Sequence, residues 1–336
     1  MSTGNGTVAA PPAAAGTAAP PATVAAQPTA GWQSKIVGGL TRHGLKALFF
    51  GPPGVGKTSL VKGAPKPILI DYDKGANQTG LDRIPGPTNW PDALALFRAI
   101  VADPRGYKSI AVDTLDPLED LAIVHVCRQA GKKSLAEIGG FGAGYDALKN
   151  EWRLLLSTLE VASENGMNVI LLSHSIVRQT SDPQLGPYEV FTTNLQKKTW
   201  ALTSRWCDLV GFCAFETSRI KDEKRAINTG QRLLLTTAGT GYLAKERFAL
   251  PRSMPLSWEV LDTAIQRFYN NTKPEDVIVR IRAMAKGTFE APAEAFIADA
   301  QGDIRRLLQV EGALKEKLAE VAREAAENAK EGATAV

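Results

Sequence analysis

The apolar run Ala47–Phe50 leads directly into Gly51-Pro52-Pro53-Gly54-Val55-Gly56-Lys57-Thr58-Ser59, and the helix-forming Leu60-Val61-Lys62 follows. Gly51 to Thr58 is the full G-x-x-x-x-G-K-[ST] pattern in its strand–loop–helix context. No other stretch restricts the fold as much, because the pattern demands a strand, a phosphate-sized loop and a helix in that order. The glycines permit backbone conformations that turn successive N–H groups inward around phosphate oxygens. The following helix N-terminus adds the positive end of its dipole. Lys57 supplies a point charge for the β and γ oxygens, and the Thr58 hydroxyl suits Mg²⁺. Residues 51–59 are therefore the candidate cradle, and ATP with Mg²⁺ are the expected cofactors.

Around this loop, short apolar runs alternate with helical patterns in a βαβ rhythm. The runs are Ala47–Phe50, Pro67–Ile70, Ser109–Val112, Val169–Leu172 and Leu209–Phe215. None alternates strictly with polar residues, as expected of strands buried on both faces of a parallel sheet. Helices are predicted from Trp90-Pro91-Asp92, from Asp116-Pro117 and over Tyr145–Val161, where Leu148, Trp152, Leu155, Leu156 and Leu159 share one face. Gln231–Thr237 reads as a further strand that forms an edge ribbon with Leu209–Phe215. From Trp258 the pattern is helical. In Ile304–Ala326 it sets Leu307, Leu314, Leu318 and Val321 on one face, with Glu311/Lys315 and Glu320/Arg323 pairs outside.

The chain divides into an Ala/Pro-rich tail (1–31), expected to be disordered, an ATPase core (32–255) and a helical C-terminal extension (256–336). The tail carries no charge, and its prolines break any helix that its alanines favour. The 336 residues, 44% hydrophobic and 22% charged, match globular averages and exclude wholesale disorder. No stretch of about 18 apolar residues escapes Pro or charge, so no membrane span is expected. Cys127, Cys207 and Cys213 are odd in number and lack CxxC spacing, which fits buried thiols of a cytoplasmic protein. A net charge of +4 permits nucleic acid without arguing for it.

Several polar residues stand at strand tips, where open α/β sheets bind ligands. Ser109-Ile110-Ala111-Val112 ends in Asp113, the candidate metal partner, with helix capping as its alternative role. Ile68-Leu69-Ile70 ends in Asp71-Tyr72-Asp73. One of these carboxylates could deprotonate an attacking water, Asp73 being preferred because it lies beyond the strand; turn formation fits them equally well. Val169–Leu172 ends in Ser173-His174, so His174 could bond a terminal phosphate or that water. His43 and His125 read as ordinary satisfied histidines.

The ordered set G-P-P-G-V-G-K-T, I-D-Y-D, S-I-A-V-D-T, L-L-S-H-S and A-K-E-R-F-A-L-P resembles the RecA-like ATPases of phages. These are AAA-domain nucleotide-binding proteins that include single-strand-annealing recombinases related to RecA and RadA. The resemblance covers roughly Trp32 to Pro251. It implies a RecA-like P-loop NTPase with a mainly parallel central sheet, an edge β-ribbon and a helical C-terminal extension. It implies further that Asp73 is the catalytic base, where relatives usually keep Glu, and that His174 senses the γ-phosphate. Lys245 and Arg247 match a K-x-R pair that relatives insert into the neighbouring subunit's site, which implies a homo-oligomeric ring or filament.

The segment Ile176–Asn194 is polar and poorly periodic, and reads as a long functional loop. It contains Arg178 and is followed by Lys197, Lys198 and Arg205, interleaved with Trp200 and Trp206. By resemblance, single-stranded DNA would be held there through phosphate contacts and stacking. Core tryptophans on a helix with lysines outside fit the same pattern equally well. The expected function is an ATPase acting on single-stranded DNA in recombination or annealing, in the host cytoplasm if the protein is of phage origin. A nucleotide-switched scaffold or loader acting on a protein partner is the alternative. A small-molecule kinase is disfavoured, because no Arg-rich lid follows the core.

Overall fold

Parallel pairing dominates the computed structural model, which describes residues 42–182, 186–219, 226–270, 274–287 and 289–334. The expected tail, 1–31, lies outside the described residues. The strands are β1 (Lys46–Gly51), β2 (Pro67–Asp71), β3 (Asp82–Pro85), β4 (Ser109–Asp113), β5 (Asn168–Asp182), β6 (Gly186–Thr193), β7 (Leu209–Arg219), β8 (Ala226–Leu235) and β9 (Ser253–Pro255). The helices are α1 (Lys57–Lys62), α2 (Trp90–Ala102), α3 (Leu115–Gln129), α4 (Ala143–Glu164), α5 (Lys197–Trp206), α6 (Trp258–Asn270), α7 (Pro274–Ala285), α8 (Glu290–Ala300) and α9 (Ile304–Thr334). Strand order is β3-β2-β4-β5-β1-β7-β8-β9, with β6 paired to β5. From β3 to β7 every pairing along this path is parallel, whereas β8 pairs antiparallel with β7 and β9 antiparallel with β8. This is the α/β class, mainly parallel with an edge ribbon and C-terminal helices, that the sequence predicts. No helix among the described residues is long and apolar enough to cross a membrane.

Strand β1 explains why its sequence does not alternate. Leu48 and Phe50 pack into one core with Trp90, Leu115 and Trp152, while Ala47 and Phe49 pack into a second with Leu60, Val61, Trp258 and Leu261. All four β1 side chains are fully buried. Burying a Phe or Leu contributes about 1.5–3 kcal/mol, so a strand with two hydrophobic faces is anchored twice. Helix α2 begins as predicted: Pro91 sits in its first turn, and Asn89 caps it by accepting from Asp92 N at 3.0 Å.

Two local expectations are corrected. Residues 176–194 are not a structureless loop: β5 runs on past His174 to Asp182 and pairs antiparallel with β6, Ser175 opposite Thr193 and Val177 opposite Phe191. The β-branched and aromatic residues of both arms favour strands, and only the base of β6, at Val190, Thr192 and Thr193, is buried, which leaves little apolar alternation to read. In the C-terminal helices, Glu311 is not outside. It is buried between α7 and α9, where Arg280 donates to both its oxygens at 3.1 Å and Lys315 donates at 2.7 Å. Glu320 pairs with Lys317 rather than Arg323. Helical spacing identified Leu307, Leu314 and Leu318, which pack in the core of these helices, whereas Val321 of the expected face is exposed. It did not identify α7, whose arginine brings the counter-charge that makes a buried carboxylate tolerable.

A second buried carboxylate joins α3 to α5. Glu119 accepts from Gln196 N at 3.0 and 3.1 Å and from the Thr199 hydroxyl, covering the N–H of the N-cap residue of α5. Burial pushes its pKa up to about 7; the Thr199 and Gln196 bonds oppose the rise, and Asp120 and Asp116 add to it. Between pH 4.5 and about 7 the folded protein keeps a proton that the unfolded chain has released. Stability from this group therefore falls as pH rises through that window and is level above it. Glu119→Gln retains an acceptor but cannot titrate. In urea unfolding, its stability relative to wild type should improve by roughly 3 kcal/mol between the two ends of the window. Parallel pH profiles for the two proteins would mean that the carboxyl is ionised throughout.

Candidate nucleotide site

Parallel register gathers the strand-tip residues at one edge of the sheet. Gly51 of β1 lies opposite His174 of β5, and Asp71 of β2 opposite Asp113 of β4. Between β1 and α1 the loop turns tightly. Gly51 packs against β7, where a Cβ would come 2.3 Å from the Cys213 carbonyl oxygen, and Gly56 has φ +106°, a conformation that favours glycine. Buried Lys57 donates to the loop's own carbonyls, Gly51 O at 2.9 Å and Pro52 O at 3.1 Å. Burial lowers its pKa, with Cys213, Asp113, Asp116 and Asp73 opposing.

Thr58 Oγ1 donates to Asp113 Oδ2 at 2.7 Å, across the intervening β5. Asp113 thus turns toward the phosphate loop and does not cap α3, whose N-cap residue is Thr114. Burial raises the Asp113 pKa; the Thr58 bond lowers it, and Asp73 raises it further. A hydroxyl and a buried carboxylate held together make a fitting oxygen pair for Mg²⁺, which usually takes one or two protein oxygens and completes its shell with phosphate and water. Among the described residues no cluster of three or more His, Cys, Asp or Glu forms a metal cage.

Beside this pair, Asp73 bonds twice. Its Oδ2 lies 3.0 Å from His174 Nε2, and its Oδ1 accepts from Thr114 Oγ1 at 3.2 Å. Both Asp73 and His174 remain about one-third exposed, so the dyad is reachable from the crevice. The carboxylate of Asp116, which the sequence marked only as a helix opener, accepts from His174 N at 3.1 Å and seats the histidine. No spacing rule finds that contact, since 58 residues separate the partners. His43 lies 2.8 Å from Gly44 O, and His125 lies 2.9 Å from Gln129 Nε2.

The remaining expected site residues lie elsewhere. Lys245 and Arg247 follow the edge ribbon in sequence, Lys245 bridging Val210 of β7. Lys245 Nζ donates to the carbonyls of Ser204, Arg205 and Cys207 at 2.7–2.9 Å, closing the C-terminus of α5. Arg247 donates to buried Asp208 Oδ1 at 2.9 Å and to Arg205 O at 3.3 Å. Asp208 N bonds Lys46 O at the start of β1, so this cluster sits at the opposite edge from the chain's own phosphate loop, about 20 Å of strand away.

Arg178 donates to Leu195 O at 2.8 Å, and Lys198 pairs with Asp146 at 2.6 Å. Lys197 and Arg205 are exposed near opposite ends of α5, roughly 12 Å apart along its axis. Trp200 meets Phe50 edge-on at 6.3 Å, and the Trp206 ring lies 5.3 Å from Lys46 Nζ while its indole donates to Glu160. Both tryptophans are partly buried and pack against the core. One residue absent from the sequence expectations does reach the loop: the guanidinium of Arg232, on β8, lies beside Gly56.

Comparison with protein families matches the AAA domain over residues 43–248. No curated protein matches the chain. Among solved structures, the KaiC-like protein PH0186 of Pyrococcus horikoshii OT3 aligns at 13% identity, covering 57% of this chain and 78% of that one with a TM-score of 0.33. The α5 clamp yields a prediction of its own. Arg247→Ala takes one charged partner from buried Asp208, and denaturant unfolding should show a loss of about 1–2 kcal/mol. Unchanged stability would mean that the pair is dispensable.

Proposed function

Because the chain belongs to the AAA-domain family, we propose that it binds ATP with Mg²⁺ at residues 51–59, hydrolyses it, and acts on single-stranded DNA in recombination or annealing. The observation that carries the reading is the convergence of Lys57, Thr58, Asp113, Asp73 and His174 on one sheet edge. Lys57 would exchange the loop carbonyls for phosphate oxygens. Thr58 and Asp113 would hold Mg²⁺, which supplies charge neutralisation on the transferred phosphoryl group. Asp73, oriented by Thr114 and His174, accepts the proton of the water that attacks the γ-phosphorus. The bond to the β,γ-bridging oxygen breaks, and ADP and phosphate leave. His174 opens the β5 extension, so a change at the terminal phosphate has a direct route into the β5–β6 hairpin.

Oligomerisation into a ring or filament belongs to the same reading. Lys245 and Arg247 sit too far from their own loop to serve it, and would reach a neighbour's nucleotide only by leaving the α5 carbonyls. A second reading, nucleotide-switched action on a protein partner, is favoured by one observation: Arg178 and Lys198 are committed within the chain, and Trp200 and Trp206 pack against the core.

Lys57→Ala should weaken ATP binding about tenfold or more in calorimetry, because a charge-assisted contact contributes roughly 1.5–3 kcal/mol. Unaltered affinity would sink the phosphate-loop reading. ATPase rate with and without single-stranded DNA separates the two partners: stimulation is expected, and indifference to DNA would favour the protein partner. Mixing Arg247→Ala with Lys57→Ala, each inactive alone, should restore hydrolysis if intact loops meet intact fingers across subunits. Co-assembled mixtures without activity would confine the site to one chain.

A further inference from the structure

Strand β8 is read above only as an edge strand, yet its register aims one side chain at the nucleotide loop. Leu234 is opposite Cys213 and is buried with Leu60 and Val61 of α1, so this face of β8 looks toward α1. Two residues back along the same face stands Arg232, opposite Phe215 and nearer the edge where the phosphate loop sits. Leu256 N donates to Arg232 O at 2.9 Å and holds the backbone there. A Cβ on Gly56 would lie 2.9 Å from Arg232 Nη1 and 3.4 Å from its Cδ. Gly56 therefore provides room for the guanidinium as well as its own backbone turn.

Arg232 is exposed, and its side chain has no hydrogen bond or ion pair among the described residues. It shares the loop with Lys57, and the carboxylates that act on Lys57, Asp113, Asp116 and Asp73, each hold a bond on the β4–β5 side. Two cations flanking one small loop repel each other unless a polyanion lies between them. A guanidinium offers a planar fork that matches two phosphate oxygens at once.

We infer that Arg232 is a phosphate-binding residue of this site, acting within its own subunit on the α/β-phosphate end of the nucleotide. Position decides which end. Thr58, Asp113 and His174 mark the terminal phosphate on the β5 side of β1, whereas Arg232 approaches from the β7–β8 side. The contact should therefore be kept with ADP as well as ATP. It rests on the nucleotide-binding reading above and adds to it a cation that the loop motif does not contain.

The test is calorimetry of the full chain, as wild type, Arg232→Ala and Arg232→Lys, with Mg²⁺ and either ADP or inorganic tripolyphosphate. Wild type should bind both. Arg232→Ala should lose about ten- to a hundredfold in affinity for each, at an unchanged melting temperature, and Arg232→Lys should recover part of the loss. Equal affinities in wild type and Arg232→Ala would overturn the contact alone. A loss confined to ADP would also overturn it, since the side chain would then be touching base or ribose. Wild type that binds neither ligand would overturn the phosphate-loop reading and this contact with it.

Discussion

Parallel pairing of β1 between β5 and β7 is the constraint from which the rest of the structure follows. Every side chain from Ala47 to Phe50 is buried, alternate residues entering different cores, so β1 cannot slip by one residue without exchanging its two faces. A strand fixed in this way delivers Gly51 to one defined point. Parallel register across the sheet brings His174, opposite Gly51, and Asp113 at the end of β4 to the same edge. Chemistry collects at that edge without any of these residues being close in sequence.

Charge at the edge is balanced locally. Lys57 rests on two carbonyls and Asp113 on a threonine hydroxyl, contacts that a phosphate and a divalent cation can replace with stronger ones. Burial works against both groups, lowering the lysine pKa and raising that of the aspartate. A ligand that brings negative charge to Lys57 and positive charge to Asp113 relieves both penalties at once.

Helix α5 shows the same economy at its two ends. Glu119 accepts from the Gln196 N–H at its start, and Lys245 collects three carbonyls around its end, where the helix dipole favours a cation. Asp116 and Glu119 lie one turn apart on α3, the first seating His174 and the second seating α5. The nucleotide edge and α5 are thus joined through one helix, by contacts that would have to be exchanged for either to move.

Sequence by itself determined the parts of this protein that rest on local pattern. A glycine-rich loop between an apolar run and a helix has few physical realisations, and unbroken apolar runs need a sheet covered on both faces. The loop, the buried strands β1, β2, β4 and β7 with the first part of β5, the α/β class and the edge positions of Asp73, Asp113 and His174 were legible for that reason, whereas β3, β6, β9 and the β5 extension were not. Tertiary structure alone decided which distant groups meet. It paired Asp73 with His174 and Asp116 with the histidine backbone, and it turned Lys245 and Arg247 onto α5. It drew Glu311 inward to an arginine on another helix and set Arg232 beside Gly56. Each of these contacts joins charged or polar side chains whose spacing in the chain carries no period. Their positions follow from strand register and helix packing, which depend on the summed burial of both cores and not on any short stretch of residues.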